Sequence, residues 1–190
     1  MRVLVACEFS GTVRDAFRNR GHDTWSCDLL CDDRSSDYHM QGDVMPITRL
    51  QDRWDLMIAF PPCQFICNSG VRWLHTNKDR WGKLDKATAF FRGLLDAPIP
   101  RIAIENSIPH RYAIERIGKK YSQIIHPWQH GHGESKATCL WLENLPELTP
   151  TKIVEGRVGR IHRMAPSPER SKKRSITYAG IATAMASQWG

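Results

Sequence analysis

Apolar residues along the chain come in short blocks of two kinds. Residues 2–7, 23–29, 55–60, 101–105 and 138–142 are short, mostly apolar stretches bounded by polar or turn-forming residues, and they read as strands. Between them the spacing is helical. Residues 12–20 form a helix that ends at Gly21, where a C-cap glycine is expected. Over residues 84–97, Leu84, Ala87, Phe91, Leu94 and Leu95 share one face, and Pro98 stops the pattern. Residues 111–120 make a short helix, and 178–189 another, with Ile181, Met185 and Trp189 in line. Gly42, Asp43 and Val44 are expected to close a short third strand. Residues 32–41 are polar and irregular, and 64–82 lack periodicity and read as a mobile loop. Strands alternating with helices predict an α/β fold with a mostly parallel sheet flanked by helices.

The 190 residues suit one domain, 1–190, with no internal repeat and no linker. A hydrophobic fraction of 41% and a charged fraction of 25% are those of an ordinary globular chain. No apolar run has the length of a membrane span, and the strand-like start is not a signal peptide. A cytoplasmic protein with no membrane partner is expected. The six cysteines are therefore expected to be free thiols. The spacing of Cys27 with Cys31 and of Cys63 with Cys67 matches a zinc knuckle only loosely, so no metal is expected.

Charge changes the picture further. The net charge of +7 suits a polyanionic partner. Arg157, Arg160, Arg163, Arg170, Lys172, Lys173 and Arg174 crowd residues 151–176, whose prolines and Gly159 predict a basic loop able to hold phosphates. Arg72, Trp73, Arg80 and Trp81 mix cations with aromatics, as a stacking surface does; the same aromatics would also pack back on a core.

In a doubly wound sheet, ligands bind at the carboxyl ends of the strands. Phe9, Ser10 and Gly11 follow strand one, where a glycine turn lets backbone approach a ligand and a helix N-terminus favours a carboxylate. Asp28 ends strand two and can accept from ribose hydroxyls; Asp43 can accept from an adenine amino group. This is the layout of an adenosine cofactor site. Cys63 follows two prolines that fix the chain's direction, between a buried strand and a loop. A thiol so placed is a candidate nucleophile. Glu105 ends an apolar strand and is followed by Asn106. A carboxyl there is costly without a partner or ligand, and desolvation lifts its pKa toward neutrality. A thiolate plus such a carboxyl can add to C6 of a pyrimidine while hydrogen-bonding N3, which makes C5 electron-rich.

These residues resemble the cytosine-C5 DNA methyltransferase family, more narrowly its small phage and prophage members. Phe9-Ser10-Gly11 is similar to the motif that holds the methionine part of S-adenosylmethionine. Asp28 stands where an acidic residue takes the ribose, and Gly42-Asp43-Val44 is similar to the motif that meets adenine. Phe60-Pro61-Pro62-Cys63-Gln64 resembles the Pro-Cys motif, with Cys63 as nucleophile, Phe60 and Pro61 bordering the cofactor, and Gln64 toward the nucleic acid. Glu105-Asn106 resembles the Glu-Asn motif. The stretch from Gly131 to Thr138 resembles the motif near the flipped base, with Glu134 for Gln, Lys136 for Arg and Thr138 for a second Arg. Residues 177–181 stand for the last motif. The resemblance implies a Rossmann-like methyltransferase fold, S-adenosylmethionine as cofactor, Cys63, Glu105, Asn106 and Lys136 as catalytic residues, and DNA as substrate in a bacterium or phage-infected cell. Only about 35 residues separate Thr138 from Thr177, too few for a separate target-recognition domain. Recognition is then expected from Arg72, Trp73, Arg160 and Arg163, or from a homodimer or partner. An enzyme of the same scaffold acting on RNA, uracil or a nucleotide, or moving another group, and a non-catalytic nucleic-acid-binding relative remain open.

Overall fold

The computed structural model describes residues 1–50, 53–159, 165, 167 and 170–190. In chain order its elements are β1 (Arg2–Ala6), α1 (Thr12–Arg18), β2 (Asp23–Asp28), β3 (His39–Gln41), α2 (Val44–Thr48), β4 (Leu56–Ala59), α3 (Arg72–Thr76), α4 (Asp79–Leu95), β5 (Ile102–Ser107), α5 (Arg111–Ile117), β6 (Gln123–Ile125), β7 (Thr138–Glu143), α6 (Arg170–Ser175) and α7 (Ala179–Trp189). The sheet runs β3-β2-β1-β4-β5-β7-β6. The first five strands are parallel, and β7 is antiparallel to both β5 and β6.

The sheet is central because its inner strands are apolar on both faces, as strands covered by helices on either side must be. Val3, Leu4, Val5, Ala6 and the whole of β4 are fully buried. On one face, Leu4, Met57, Ile104 and Trp141 meet α4 through Leu84, Phe91 and Leu94. The Phe91 and Trp141 rings lie 4.8 Å apart, edge to face. On the other face, Val5, Ile58, Ala103 and Leu140 meet Phe17 of α1 and Ile181, Met185 and Trp189 of α7. Each fully buried side chain of this size contributes about 1.5–3 kcal/mol. At the start of α7 the packing admits no side chain: a Cβ on Gly180 would sit 1.8 Å from the His130 carbonyl oxygen.

The mostly parallel α/β architecture agrees with the sequence reading, with differences in detail. The third strand is β3, not residues 42–44. It is a polar edge strand aligned by backbone pairing with β2, so no hydrophobic alternation announces it. Asp43 instead caps α2, its Oδ1 accepting from Met45 N–H at 2.9 Å. The stretch read as a mobile loop holds α3 and the first turns of α4. Of α3 only Leu74 is buried, and in α4 no residue before Leu84 is, so helical periodicity is invisible there. The basic stretch 151–176 carries a helix, α6, near its end. β6 is three residues long with Ile124 exposed, too short to signal itself.

Candidate active site

The C-terminal ends of β1, β2, β4 and β5 converge at one edge of the sheet, and the expected site residues sit on them. Cys63 opens the turn after β4 and is exposed. Its carbonyl accepts from Ile66 N–H at 3.0 Å and Cys67 N–H at 2.9 Å. The chain thus doubles back and brings the Cys67 thiol into hydrogen-bond contact with that of Cys63. The turn is anchored at several points. Asn106 Nδ2 donates to the Pro61 carbonyl at 2.8 Å. Asn68 N–H donates to the Ile108 carbonyl at 2.8 Å, and His110 N–H to the Ile66 carbonyl at 3.0 Å. His110 Nδ1 accepts from Ala113 N–H at 3.1 Å as the cap of α5. That leaves its proton on Nε2, which donates to the Phe65 carbonyl at 3.0 Å.

Asn106 therefore positions the Pro-Pro-Cys segment from beneath the sheet edge. Glu105 faces the other way, because successive side chains of a strand alternate. Ser107 shares the face of Glu105 and is hydrogen-bonded to the Cys63 thiol. The thiol and the Glu105 carboxyl thus lie on one side of the sheet, close enough that the carboxylate's charge acts on the thiol. Burial pushes the Glu105 pKa up; the Lys136 ammonium and a hydrogen bond with Thr138 pull it back. The recess at this carboxyl is about 10 Å³, lined by Pro127, Lys136, Thr138, Thr177, Tyr178 and Ile181. It opens toward a hollow of about 200 Å³ between Lys136, Tyr178 and the end of α6.

The two thiols behave as a unit. Hydrogen bonding from Cys63 draws the Cys67 pKa down to about 5, assisted by the Ser69 hydroxyl, the Gly70 N–H and the Arg174 charge. The same contact pushes the Cys63 thiol up. The four-residue spacing of these cysteines was visible in sequence; the contact between their thiols was not. Lys136 donates to the Arg174 carbonyl at 2.9 Å, which ties α6 to the Glu105 recess. Ser107 carried no site signal in the sequence, and Cys67 and Arg174 stood out there only by cysteine spacing and by charge; a fold is needed to bring them to Cys63.

At the ends of β1 and β2, Asp28 Oδ1 accepts from Leu30 N–H at 2.9 Å, and burial raises its pKa. Gly11 takes a left-handed φ of 65°, Phe9 and Ser10 are buried, and Phe60 and Pro61 close the same edge. Asp28 and Asp43 both lie near the Cys7 thiol, which burial and these carboxylates push up. The helix N-terminus expected to favour a ligand carboxylate is already occupied. Glu8, 4% exposed, accepts from Val13 N–H at 2.6 Å and Arg14 N–H at 3.1 Å. The residues therefore fit the adenosine half of a cofactor, through Asp28 and the glycine turn, while a carboxylate would have to be held elsewhere.

The remaining expected residues differ in exposure. Gln64, Arg72 and Trp73 are exposed. Glu134 is 2% exposed, beneath a backbone bridge to Val158. Arg160 and Arg163 lie outside the described residues. In α6, Lys172 pairs with Asp33 at 2.6 Å and lies 5.1 Å from the Phe9 ring.

No family model matches the chain, and no curated protein matches it. Solved structures do. A DNA modification methyltransferase encoded within an Escherichia coli prophage superposes with a TM-score of 0.51 at 14% identity, covering 87% of this chain and 55% of its own. The Entamoeba histolytica methyltransferase EhMeth gives a TM-score of 0.51 at 15% identity, covering 81% of this chain and 57% of its own. The fold is a methyltransferase fold. This chain spans little more than half the length of either neighbour. In open α/β sheets ligands bind outside the carboxyl ends of the strands; Gly11, Asp28, Cys63 and Glu105 lie at or beyond those ends here. Among the described residues no helix is long and apolar enough to cross a membrane.

Proposed function

We propose that the chain is an S-adenosylmethionine-dependent methyltransferase acting on C5 of cytosine in DNA, with Cys63 as nucleophile and Glu105 as its acid partner. The observation that supports this most is the shared face of β5: Ser107 touches the Cys63 thiol while Glu105, two residues back, turns its desolvated carboxyl to the same side. A target base reaches that face only after leaving the stack.

The residues divide the work. Cys63 sulfur bonds to C6 of the ring, and its proton passes to the Cys67 sulfur already in contact with it. Glu105, whose pKa burial raises, donates a proton to N3 and draws the ring's electrons toward that side, so C5 becomes the nucleophilic carbon. Lys136, beside Glu105, faces the developing negative charge. Asn106 holds Pro61 and with it the direction of the thiol. Asp28 would hold the ribose of S-adenosylmethionine, which when bound would supply an electrophilic methyl group. Loss of the C5 proton to a base and departure of the sulfur restore the ring.

The test is trapping on DNA containing 5-fluorocytosine, where fluorine at C5 prevents the last step and leaves the adduct in place. The wild-type chain with S-adenosylmethionine is expected to give a covalent protein–DNA band, and Cys63→Ala none, with cofactor affinity unchanged. Parallel reactions with tRNA and free nucleotides separate DNA from the other pyrimidine substrates. An adduct that survives Cys63→Ala would overturn the assignment.

A further inference from the structure

We infer that the face built by the Cys63 turn, α3, the start of α4 and the start of α5 is a track for single-stranded nucleic acid flanking the target base. This rests on the nucleic-acid substrate proposed above and adds the strandedness of that substrate.

The rings of this face are contiguous with the Cys63 turn. His110, which holds the Phe65 carbonyl, has its ring 5.9 Å from Tyr112. Tyr112 lies 5.1 Å from Trp81 and 5.8 Å from His75. These contacts are edge-to-face, each setting the edge of one ring against the face of its neighbour. Guanidinium groups lie over rings of the same surface. Arg111 is 4.6 Å from the Tyr112 centroid, Arg80 4.9 Å from Phe65, and Arg72 4.6 Å from Trp73. Arg116 lies 5.1 Å from Trp81 and is paired with Asp85 at 2.6 Å.

Trp81 and Tyr112 also pack against the core, but an aromatic that closes a core needs no cation beside it. A ring with a guanidinium beside it does two things for a nucleic acid: it stacks on bases, and it places positive charge where the phosphates run. Residues 72–86 and 111–116 carry seven lysines and arginines against Asp79, Asp85 and Glu115, so the face attracts a polyanion. Trp73 is 47% exposed, as a stacking platform must be before its ligand arrives. The rings decide for a single strand. Bases in a duplex stack on each other and show no faces; only unpaired bases offer them. A surface for duplex phosphates alone would need the arginines and not the aromatics.

The test uses the full chain without cofactor and a fluorescein-labelled mixed-sequence deoxyoligonucleotide, as single strand and as blunt duplex, followed by anisotropy. The single strand is expected to bind at least about 10-fold more tightly. Trp73→Ala and Arg111→Ala, both at exposed positions, are each expected to weaken strand binding by roughly 5-fold or more and to leave duplex binding nearly unchanged. Trp73→Phe is expected to restore most of the affinity. Equal binding of duplex and strand, or wild-type strand affinity in Trp73→Ala, overturns the inference, as does the absence of any nucleic-acid binding. Strand binding that depends on Trp73 with no adduct on 5-fluorocytosine would keep the track and remove the C5 chemistry. An adduct with Trp73-independent binding would do the reverse.

Discussion

Glu105 shows how much a single position owes to its surroundings. Its carboxyl sits in a recess of about one water's volume, and burial is the largest influence on it, raising its pKa against Lys136 and Thr138. A carboxyl whose folded pKa is raised binds its proton more tightly folded than unfolded. Its contribution to stability is therefore present at low pH and is lost as pH rises through the folded value. The same proton is the one offered to the ring. Transfer is expected to fall along an alkaline limb set by Glu105, measured as initial rates across the pH range. Glu105→Gln is expected to lose about 10²–10⁴-fold in rate, the range of a general acid, and to lose the limb. Lys136→Met removes the cation that lowers the pKa, so the limb moves to higher pH in that variant. A limb that stays in place in Lys136→Met would separate the lysine from the carboxyl's chemistry.

At the scale of the element, α1 shows a helix start built by a residue outside it. Glu8 takes the N–H groups of Val13 and Arg14, and Arg14, fully buried, reaches Asp15 at 2.8 Å and Asp32 at 3.1 Å. Glu8→Ala strips an acceptor from two buried donors and is expected to cost about 1–3 kcal/mol, read as a lower denaturant midpoint at unchanged slope. Gly11→Ala combines a left-handed φ with a Cβ placed 2.3 Å from Arg14 Nη2; it is expected to destabilise as well and to displace the Arg14–Asp32 pair. Neither effect is written in the local pattern. The sequence exposed what burial imposes on single strands: residues 3–6 of β1, all of β4 and residues 102–104 of β5 are apolar because both faces are covered, so the strand ends, and Cys63, Glu105 and Asn106 there, could be placed, as could Asp28 at the end of β2. It hid what pairing across the fold imposes. β3 is polar and exists through its backbone register with β2. α3 and the first turns of α4 present mostly solvent-facing side chains. Glu8, Cys67 and Ser107 gain their roles from neighbours on other elements or across a turn.

For the molecule as a whole, ligand binding and folding are one equilibrium, which makes the cofactor assignment testable without any reaction. A ligand that binds only the folded chain stabilises it by about 2.7 kcal/mol at a hundred times its dissociation constant. In a chain of 190 residues each kcal/mol moves the melting midpoint by about 2–4 °C, so saturating S-adenosylmethionine is expected to raise Tm by about 5–10 °C. Asp28 ends β2, its carboxylate accepting from the Leu30 and Leu29 N–H groups and, in the cofactor assignment, from ribose as well. Losing charge-assisted bonds there costs about 1.5–3 kcal/mol of binding. At the same ligand concentration Asp28→Ala should keep only about a tenth to a half of the shift, while its Tm without ligand stays within a few degrees of wild type. The comparison separates two failures. A wild-type chain that S-adenosylmethionine does not stabilise has no such cofactor, whatever its fold. A variant stabilised as fully as wild type binds the cofactor without Asp28, and the adenosine would then have to lie against another strand end.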